Sequence, residues 1–399
     1  MRAFAPSSYL LRNANRLFSV FVSSRSSSSG GSSSSTVVSK MVNDILKERD
    51  LDQVVKKFLT NSEMYRFRCK HRVYEVTFRR LAAAQRVSSI EQIIDAHKKY
   101  PDITSEGFAV RLIALCGKSH MFDRARKLFD ELVQLNCPRT VMSLNALLSA
   151  AIDSGLHGKV PELFQQLSSE LSISPDNITY NILILAYSKM GSLDEALSLL
   201  KTMEAKGVEP AVITFNTLLH GFYRADRFSD AEKLWAKMEE RNISPDVVTF
   251  NEKMQALATE GKTADVLQLI DEMRSRGLKP DIFSFNSLIK AYCSDGNIEE
   301  AKRVFADLTT NECAPNWRTF ETMIPYLCEE GELGLAFKLA KDSIRQRCRV
   351  NSEVLQQVVD GFMKASRRED AEKLVEVASK SKDSDKYNLK LPPEEEKCD

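Results

Sequence analysis

The chain has 399 residues, 56 basic against 55 acidic, with 43% hydrophobic and 28% charged side chains. That is the balance of an ordinary folded protein, long enough for two or three domains or for one repeat array, and it excludes net charge as an argument for an anionic partner. No apolar run reaches the roughly 20 residues of a membrane span, and eight cysteines without a CxxC pair fit a reduced compartment rather than a disulfide framework.

Residues 1–35 stand apart from the rest. They carry Arg2, Arg12, Arg16 and Arg25 and no acid, the first carboxylate being Asp44. From Tyr9 to Val22, Leu10, Leu11, Leu17, Phe18 and Phe21 mix with arginines four apart, so a helix there would be amphipathic and basic, and a serine-rich run follows from Ser23 to Ser35. Arg12 and Arg16 interrupt any apolar centre. The segment therefore predicts a mitochondrial transit peptide with a serine-rich linker rather than a secretory signal. Arg16-Leu17-Phe18 before Ser19 resembles a matrix-protease cleavage site. Without the four arginines the count is 52 basic to 55 acidic, or −3. Any anion site must then come from local placement of charge.

Residues 36–105 read as a helical cap, strongest over 41–62, followed by a degenerate repeat at about 71–105. From 106 to 380 the chain repeats itself with a period of 35. Asn181, Asn216, Asn251 and Asn286 keep that spacing, each after an aromatic residue: Tyr180, Phe215, Phe250 and Phe285. Pro210, Pro245, Pro280 and Pro315 keep it too, as do Ala196, Ala231, Val266 and Ala301, and Gly191, Gly261 and Gly296 with Asp226 in the fourth slot. Copies fall at 106–140, 141–176 (one residue longer), 177–211, 212–246, 247–281, 282–316, 317–351 and 352–380, about eight in all.

Each copy has the pattern of two helices. In 177–211, Tyr180, Leu183, Ile184 and Tyr187 form a helical stripe that ends at Gly191. Ser192 with Glu195 three residues on predicts a capping box at the start of a second helix, which puts Ala196, Leu199, Leu200 and Met203 on one face before Gly207 and Pro210 stop it. One such hairpin cannot bury both faces, so the fold class is all-α, an α-solenoid superhelix of stacked two-helix repeats.

Two kinds of helical hairpin have this length, and the tetratricopeptide kind carries an early tryptophan and Leu-Gly that are missing here. The strings Val-Ile-Thr-Phe-Asn-Thr-Leu-Leu (212–219), Val-Val-Thr-Phe-Asn (247–251) and Gly-Leu-Lys-Pro-Asp (277–281) closely resemble pentatricopeptide repeats of the pure 35-residue class. The resemblance covers roughly residues 106–380. It implies binding of single-stranded RNA, about one nucleotide per repeat, with the fifth and last residue of each repeat on the base edge and the second residue against the base faces. Carried over, the base-reading pairs are Asn145 with Asp176, Asn181 with Ala211, Asn216 with Asp246, Asn251 with Asp281, and Asn286 with Asn316. The base-packing residues are Met142, Ile178, Ile213, Val248 and Phe283. By the same resemblance Asn–Asp prefers uracil and Asn–Asn prefers pyrimidines, which gives a core of 5′-U-N-U-U-Y-3′. The asparagines have a second reading that needs no ligand, as partners for backbone groups at helix starts.

The copies at the ends depart from this pattern, with Val110, Glu321 and Gln356 in the fifth slot and Arg318 beside Glu321. Lys118, Lys189, Arg224 and Lys364 end first helices and are the candidate phosphate contacts, while Asp153, Thr259, Ser294 and Glu329 break the stripe. A core with three fixed bases and one pyrimidine recurs about once in 128 positions, far short of what selects one transcript. The resemblance therefore implies either partner proteins or an abundant structured RNA, with mitochondrial ribosomal RNA and proteins as the expected company in the matrix. A membrane or DNA partner is not expected. The competing reading is a protein-binding helical scaffold without direct RNA readout.

Nothing in the sequence asks for a cofactor, a metal or a catalytic role. His71, His97, His120, His157 and His220 have no second ligand at metal spacing, and no HxE precedes a CxxC. Cys116, Cys293 and Cys328 lie in mid first helices, and Cys137, Cys313 and Cys348 share one slot near the repeat end, so repeat packing accounts for all six. Trp235 shares a column with Phe129, Phe164 and Phe305 and is expected in the core. The tail 381–399, with Pro392-Pro393 and Glu394 to Glu396, reads as disordered.

Overall fold

A computed structural model describes residues 32–381 and 387–391, with side chains from residue 36. The expected transit peptide therefore lies, up to residue 31, outside the described residues, as do 382–386 and 392–399 of the tail. The chain divides into two compact units, Met1–Gly221 and Phe222–Asp399. Every element among the described residues is helical.

The first unit opens with α1 (Ser32–Lys47), α2 (Leu51–Asn61) and the single turn α3 (Tyr65–Arg68). Helix α1 starts inside the serine run assigned above to the linker, because the buried stripe of Val38 and Ile45 carries the helix back toward it. Next come α4 (His71–Ala83), α5 (Val87–His97) and a 3₁₀ turn (Pro101–Thr104), the degenerate repeat. A buried aromatic knot of Phe58, Phe67 and Tyr74 ties this cap together, the Phe58 and Tyr74 rings meeting edge-on at 4.8 Å. Arg68 is held by the Asp102 carboxylate and by the Ser62 and Glu63 carbonyls at 2.7 and 3.0 Å, so its buried charge is paired and hydrogen-bonded.

Regular hairpins follow: α6 (Glu106–Lys118) with α7 (Phe122–Glu131), α8 (Val141–Asp153) with α9 (Lys159–Glu170), and α10 (Asn177–Met190) with α11 (Leu193–Ala205). The division falls within α12 (Val212–Arg224). The second unit holds α13 (Phe228–Glu240), then α14 (Val247–Thr259) with α15 (Thr263–Ser275), and α16 (Ile282–Ser294) with α17 (Ile298–Ala306). It ends with α18 (Trp317–Glu329) paired with α19 (Leu333–Arg345), and α20 (Ser352–Lys364) with α21 (Arg368–Ser379). These boundaries match the 35-residue period read from the sequence.

The periodic columns have distinct structural causes. Ala196, Ala231, Val266 and Ala301 are fully buried where second helices meet first ones. Gly191, Gly261 and Gly296 have φ of 79°, 69° and 71°, and Asp226 in the same slot has 56°, so the column marks a left-handed turn between the helices. Trp235 is buried edge-on against Phe250 at 5.3 Å, as core.

Two expectations need correction. Ser192, at φ −82°, ψ 65° after the left-handed Gly191, makes no side-chain cap and so no capping box, although Asn297 in the same slot accepts the Glu300 N–H at 3.3 Å. The capping boxes sit at the other end of the hairpin, on the first helices, at Asp176–Thr179, Asp246–Thr249, Asp281–Ser284 and Asn316–Thr319. The tail is also not featureless: Tyr387 and Leu389 are buried and Leu391 is half-buried, while Asn388 and Lys390 face solvent. That alternation, Tyr-Asn-Leu-Lys-Leu, gives the segment one apolar face.

Candidate nucleic-acid interface

The last residue of a repeat is the N-cap of the next first helix, and this explains how the fifth and last positions come together. In the first unit, Asp176 Oδ1 accepts the Thr179 N–H at 2.8 Å as a cap, and the same oxygen accepts Asn145 Nδ2–H at 2.9 Å. The Thr179 hydroxyl lies 2.8 Å from Asn145 Oδ1. The arrangement recurs in the second unit. Asn251 Nδ2–H donates to Asp281 Oδ1 at 3.0 Å, and the Ser284 hydroxyl donates to Asn251 Oδ1 at 2.6 Å. Asn286 Nδ2–H donates to Asn316 Oδ1 at 3.1 Å, and the Thr319 hydroxyl donates to Asn286 Oδ1 at 2.7 Å.

These contacts fix each amide from both ends. A hydroxyl that donates holds the oxygen, and a cap oxygen that accepts holds the nitrogen, so the amide cannot flip without losing both bonds. What remains unused is chemically specific. Asp176 and Asp281 take all their hydrogen bonds on Oδ1, which leaves Oδ2 as an acceptor without a partner among the described residues. At Asn316 the corresponding free atom is an amide nitrogen, a donor. Asn145, Asn251 and Asn286 each also keep one N–H and one lone pair.

The pair Asn181 and Ala211 behaves differently. Ala211 has no side-chain acceptor, and Asn181 Nδ2–H turns back to Asn177 Oδ1 at 2.7 Å. Asn177 is oriented in turn by its own Nδ2–H, which donates to the Glu209 carbonyl at 2.6 Å. Asn181 Oδ1 is consequently buried with no partner. Asn216 is also buried and lies in the first unit, while Asp246 caps α14 in the second.

Among the base-packing positions, Met142, Ile178, Ile213 and Phe283 are half-buried and Val248 is buried. Of the cations, Lys118, Arg224 and Lys364 are exposed and Lys189 half-buried, each in the last turn of its helix, where a positive charge also favours the helix dipole. Lys118 is ion-paired to Glu75 at 3.5 Å.

Sequence reasoning missed Lys290 and Glu106, and the partners of Arg318 and Glu321. Lys290 Nζ donates to Thr259 Oγ1 at 2.6 Å, so a cation from the next hairpin reaches the place where the basic stripe lapses. Burial pushes its ammonium below the usual lysine range, and repulsion from Arg318 adds to the shift. Arg318 itself reaches Gln255 Oε1 at 3.5 Å. Glu106, in the repeat whose fifth slot holds buried Val110, accepts the Thr140 and Ser143 N–H groups at 2.8 and 3.1 Å and so caps α8 of the next repeat. Glu321 accepts the Asn351 N–H at 2.8 Å, and burial raises its carboxyl above the usual range. Arg318 and Gln255 are 63 residues apart and the other polar partners 30 to 37, separations that no local motif reports.

No group of His, Cys, Asp and Glu side chains among the described residues could hold a metal ion. Burial raises the thiols of Cys116 and Cys293 to about 12 and those of Cys137 and Cys328 to about 11, the opposite of an activated nucleophile.

The sequence profile of the PPR repeat family matches residues 175–222, 210–258, 245–293 and 280–329, and a PPR repeat profile matches residues 111–137. The chain is 46% identical over 161 residues to the small ribosomal subunit protein mS78 of Arabidopsis thaliana, a match covering 40% of either chain. It is 41% identical over 169 residues to mS79 of the same plant, covering 42% of each. It is 38% identical over 175 residues to a third Arabidopsis protein, a pentatricopeptide repeat-containing protein designated mitochondrial, covering 43% of this chain and 42% of that one. The matched stretch thus spans less than half the length of each relative.

Proposed function

We propose, from the premise that the chain belongs to the pentatricopeptide-repeat family, that it binds single-stranded RNA in the mitochondrion and acts there in translation alongside the small ribosomal subunit. The observation that carries the RNA reading is the locked amide with an open acceptor, seen at Asn145–Asp176 and Asn251–Asp281. A uracil edge offers one N–H donor between two carbonyl acceptors. Its N–H complements the free Asp Oδ2 and a carbonyl complements the remaining Asn N–H. Cytosine presents a bare ring nitrogen at that point, which the carboxylate repels. At Asn286–Asn316 the free group is a donor, and it suits the cytosine ring nitrogen instead.

Sequence selection by these pairs is short, so the reading includes company that adds specificity or a fixed RNA. The names of two relatives support a place beside the small ribosomal subunit, and the name of a third supports the mitochondrion. The role is binding: holding a strand, or joining RNA to protein.

Crosslinking and RNA sequencing on the tagged protein in isolated mitochondria, with gradient sedimentation, tests this. Ribosomal RNA in the crosslinks and sedimentation with the small subunit is the expected result. A light profile with a few pyrimidine-rich transcript sites, lost on Asn251→Ala, would keep the RNA and replace the ribosome. An absence of crosslinked RNA in every fraction would leave the protein-scaffold reading in its place.

A further inference from the structure

The hairpin of α20 and α21 carries Gln356 in the slot that asparagine fills in the regular repeats, and that side chain is already engaged. Gln356 Oε1 accepts the Lys390 N–H at 2.9 Å, and Gln356 Nε2–H donates to the Lys390 carbonyl at 2.8 Å. The second Nε2 hydrogen goes to Asp360 Oδ1 at 2.8 Å. The N–H and C=O of one residue thus offer the amide a donor and an acceptor side by side, the same pairing a nucleobase edge would offer.

Neighbouring contacts hold Lys390 there. The Tyr387 hydroxyl donates to the Cys348 carbonyl at 3.0 Å, and the Leu389 N–H donates to the Tyr387 carbonyl at 2.9 Å in a tight turn. Tyr387 and Leu389 are 7% and 9% exposed, within the apolar cluster that includes Leu355, Val359 and Phe362. Two buried side chains, two hydrogen bonds to the hairpin and one to the Cys348 carbonyl just before it form a docked segment, anchored on alternate residues.

We infer that the reading face of this last hairpin is a peptide-docking site whose resident is the chain's own segment Tyr387–Leu391. It stands where a nucleotide would, and the last clause rests on the RNA reading above. Gln356 then reads no base, and contacts to RNA end before this hairpin.

Hydrogen exchange on the full-length protein tests the docking without RNA. The Lys390 amide is expected to exchange at least about tenfold more slowly than an unprotected amide, and Leu389→Ser, which leaves α20 and α21 untouched, is expected to return it to the unprotected rate. Adding a saturating twelve-residue oligouridine should leave the Lys390 protection unchanged, and Gln356→Ala should leave oligouridine affinity within about twofold while Asn251→Ala lowers it. An unprotected Lys390 amide in the unsubstituted chain, or protection lost when oligouridine binds, would overturn the inference. If oligouridine does not bind at all, the RNA reading fails while the Lys390 rate still decides the docking.

Discussion

Asn316 and Asp281 occupy the same place in successive repeats and differ by one atom, an amide nitrogen in place of a carboxylate oxygen. Both cap a helix with Oδ1 and hold an asparagine on the same oxygen, so Asn316→Asp should leave α18 intact. The open atom, however, changes from donor to acceptor. The expected outcome is about a tenfold shift from cytosine toward uracil at the nucleotide facing that repeat, read by competition between oligonucleotides that differ at one position, since one hydrogen bond and one repulsion change together. Unchanged preference would mean that these atoms do not face the base. The asparagine column was legible because it recurs every 35 residues. The Ser and Thr hydroxyls that lock it were not singled out, since a hydroxyl beside a helix start has an ordinary local use as half of a capping box. Asn177 was invisible for another reason. Its role follows from the missing acceptor at Ala211, a partner 34 residues away.

His97 gives a second expectation at this scale. It is fully buried, its Nδ1–H donates to the Ile93 carbonyl at 2.7 Å, and the Tyr74 hydroxyl donates to Nε2 at 2.7 Å. Burial holds its pKa down at about 4, with repulsion from Arg111 and Arg68 assisting against the Ile93 bond. The unfolded chain takes up a proton near pH 6.5, whereas the folded chain resists until about pH 4. Stability from the neutral ring is therefore complete above about pH 6.5, falls as pH drops toward 4, and is level below. The loss is on the order of 3 kcal/mol. Urea unfolding at several pH values should show this fall, and His97→Gln should flatten it while lowering stability at neutral pH. The same slope in both proteins would assign it to other groups.

Among the elements, α6 packs closely on α8 at Gly117. A methyl group at Gly117 would lie 2.5 Å from the Ala150 Cα, a backbone atom that cannot step aside. Gly107, on the same helix, has nothing within 4 Å. Alanine at the two positions should therefore have opposite effects. Gly117→Ala is expected to destabilise by about 1–3 kcal/mol through overpacking, while Gly107→Ala should be neutral or stabilise by up to about 1 kcal/mol. Thermal unfolding of both variants checks the contrast, and equal effects would mean that α6 and α8 pack less closely. Helix spans and the turn between them could be read from periodic apolar residues and the glycine column. The caps were placed at the wrong end because Ser-x-x-Glu carries the local signature of a box. Ser192, at φ −82°, ψ 65°, makes no such bond, whereas Asn297 in the same slot accepts the Glu300 N–H at 3.3 Å.

For the whole molecule, the sequence declared a repeat family through four columns in one register, while charge declared little. Without the four arginines of residues 1–35 the chain is acidic by three, so any salt dependence of RNA binding must arise from few cations. Lys118 already has Glu75 as a partner, whereas Lys290 and Arg318 sit together in a half-buried setting that a phosphate would relieve. With about three to five phosphates contacted, the logarithm of the binding constant should fall with that of salt concentration at a slope of about −2 to −3.5. Fluorescence anisotropy with the oligouridine probe between about 50 and 200 mM salt gives the slope, and Lys290→Ala should bring it about one unit nearer zero. A slope steeper than about −5 would require a basic surface that the folded repeats do not provide, and residues 1–35, with their four arginines, would then be the first segment to remove. A shallow slope together with base preference would assign most of the binding free energy to the locked amides. Binding of that kind persists at physiological salt, and so few bases then leave the choice of RNA to the surrounding assembly.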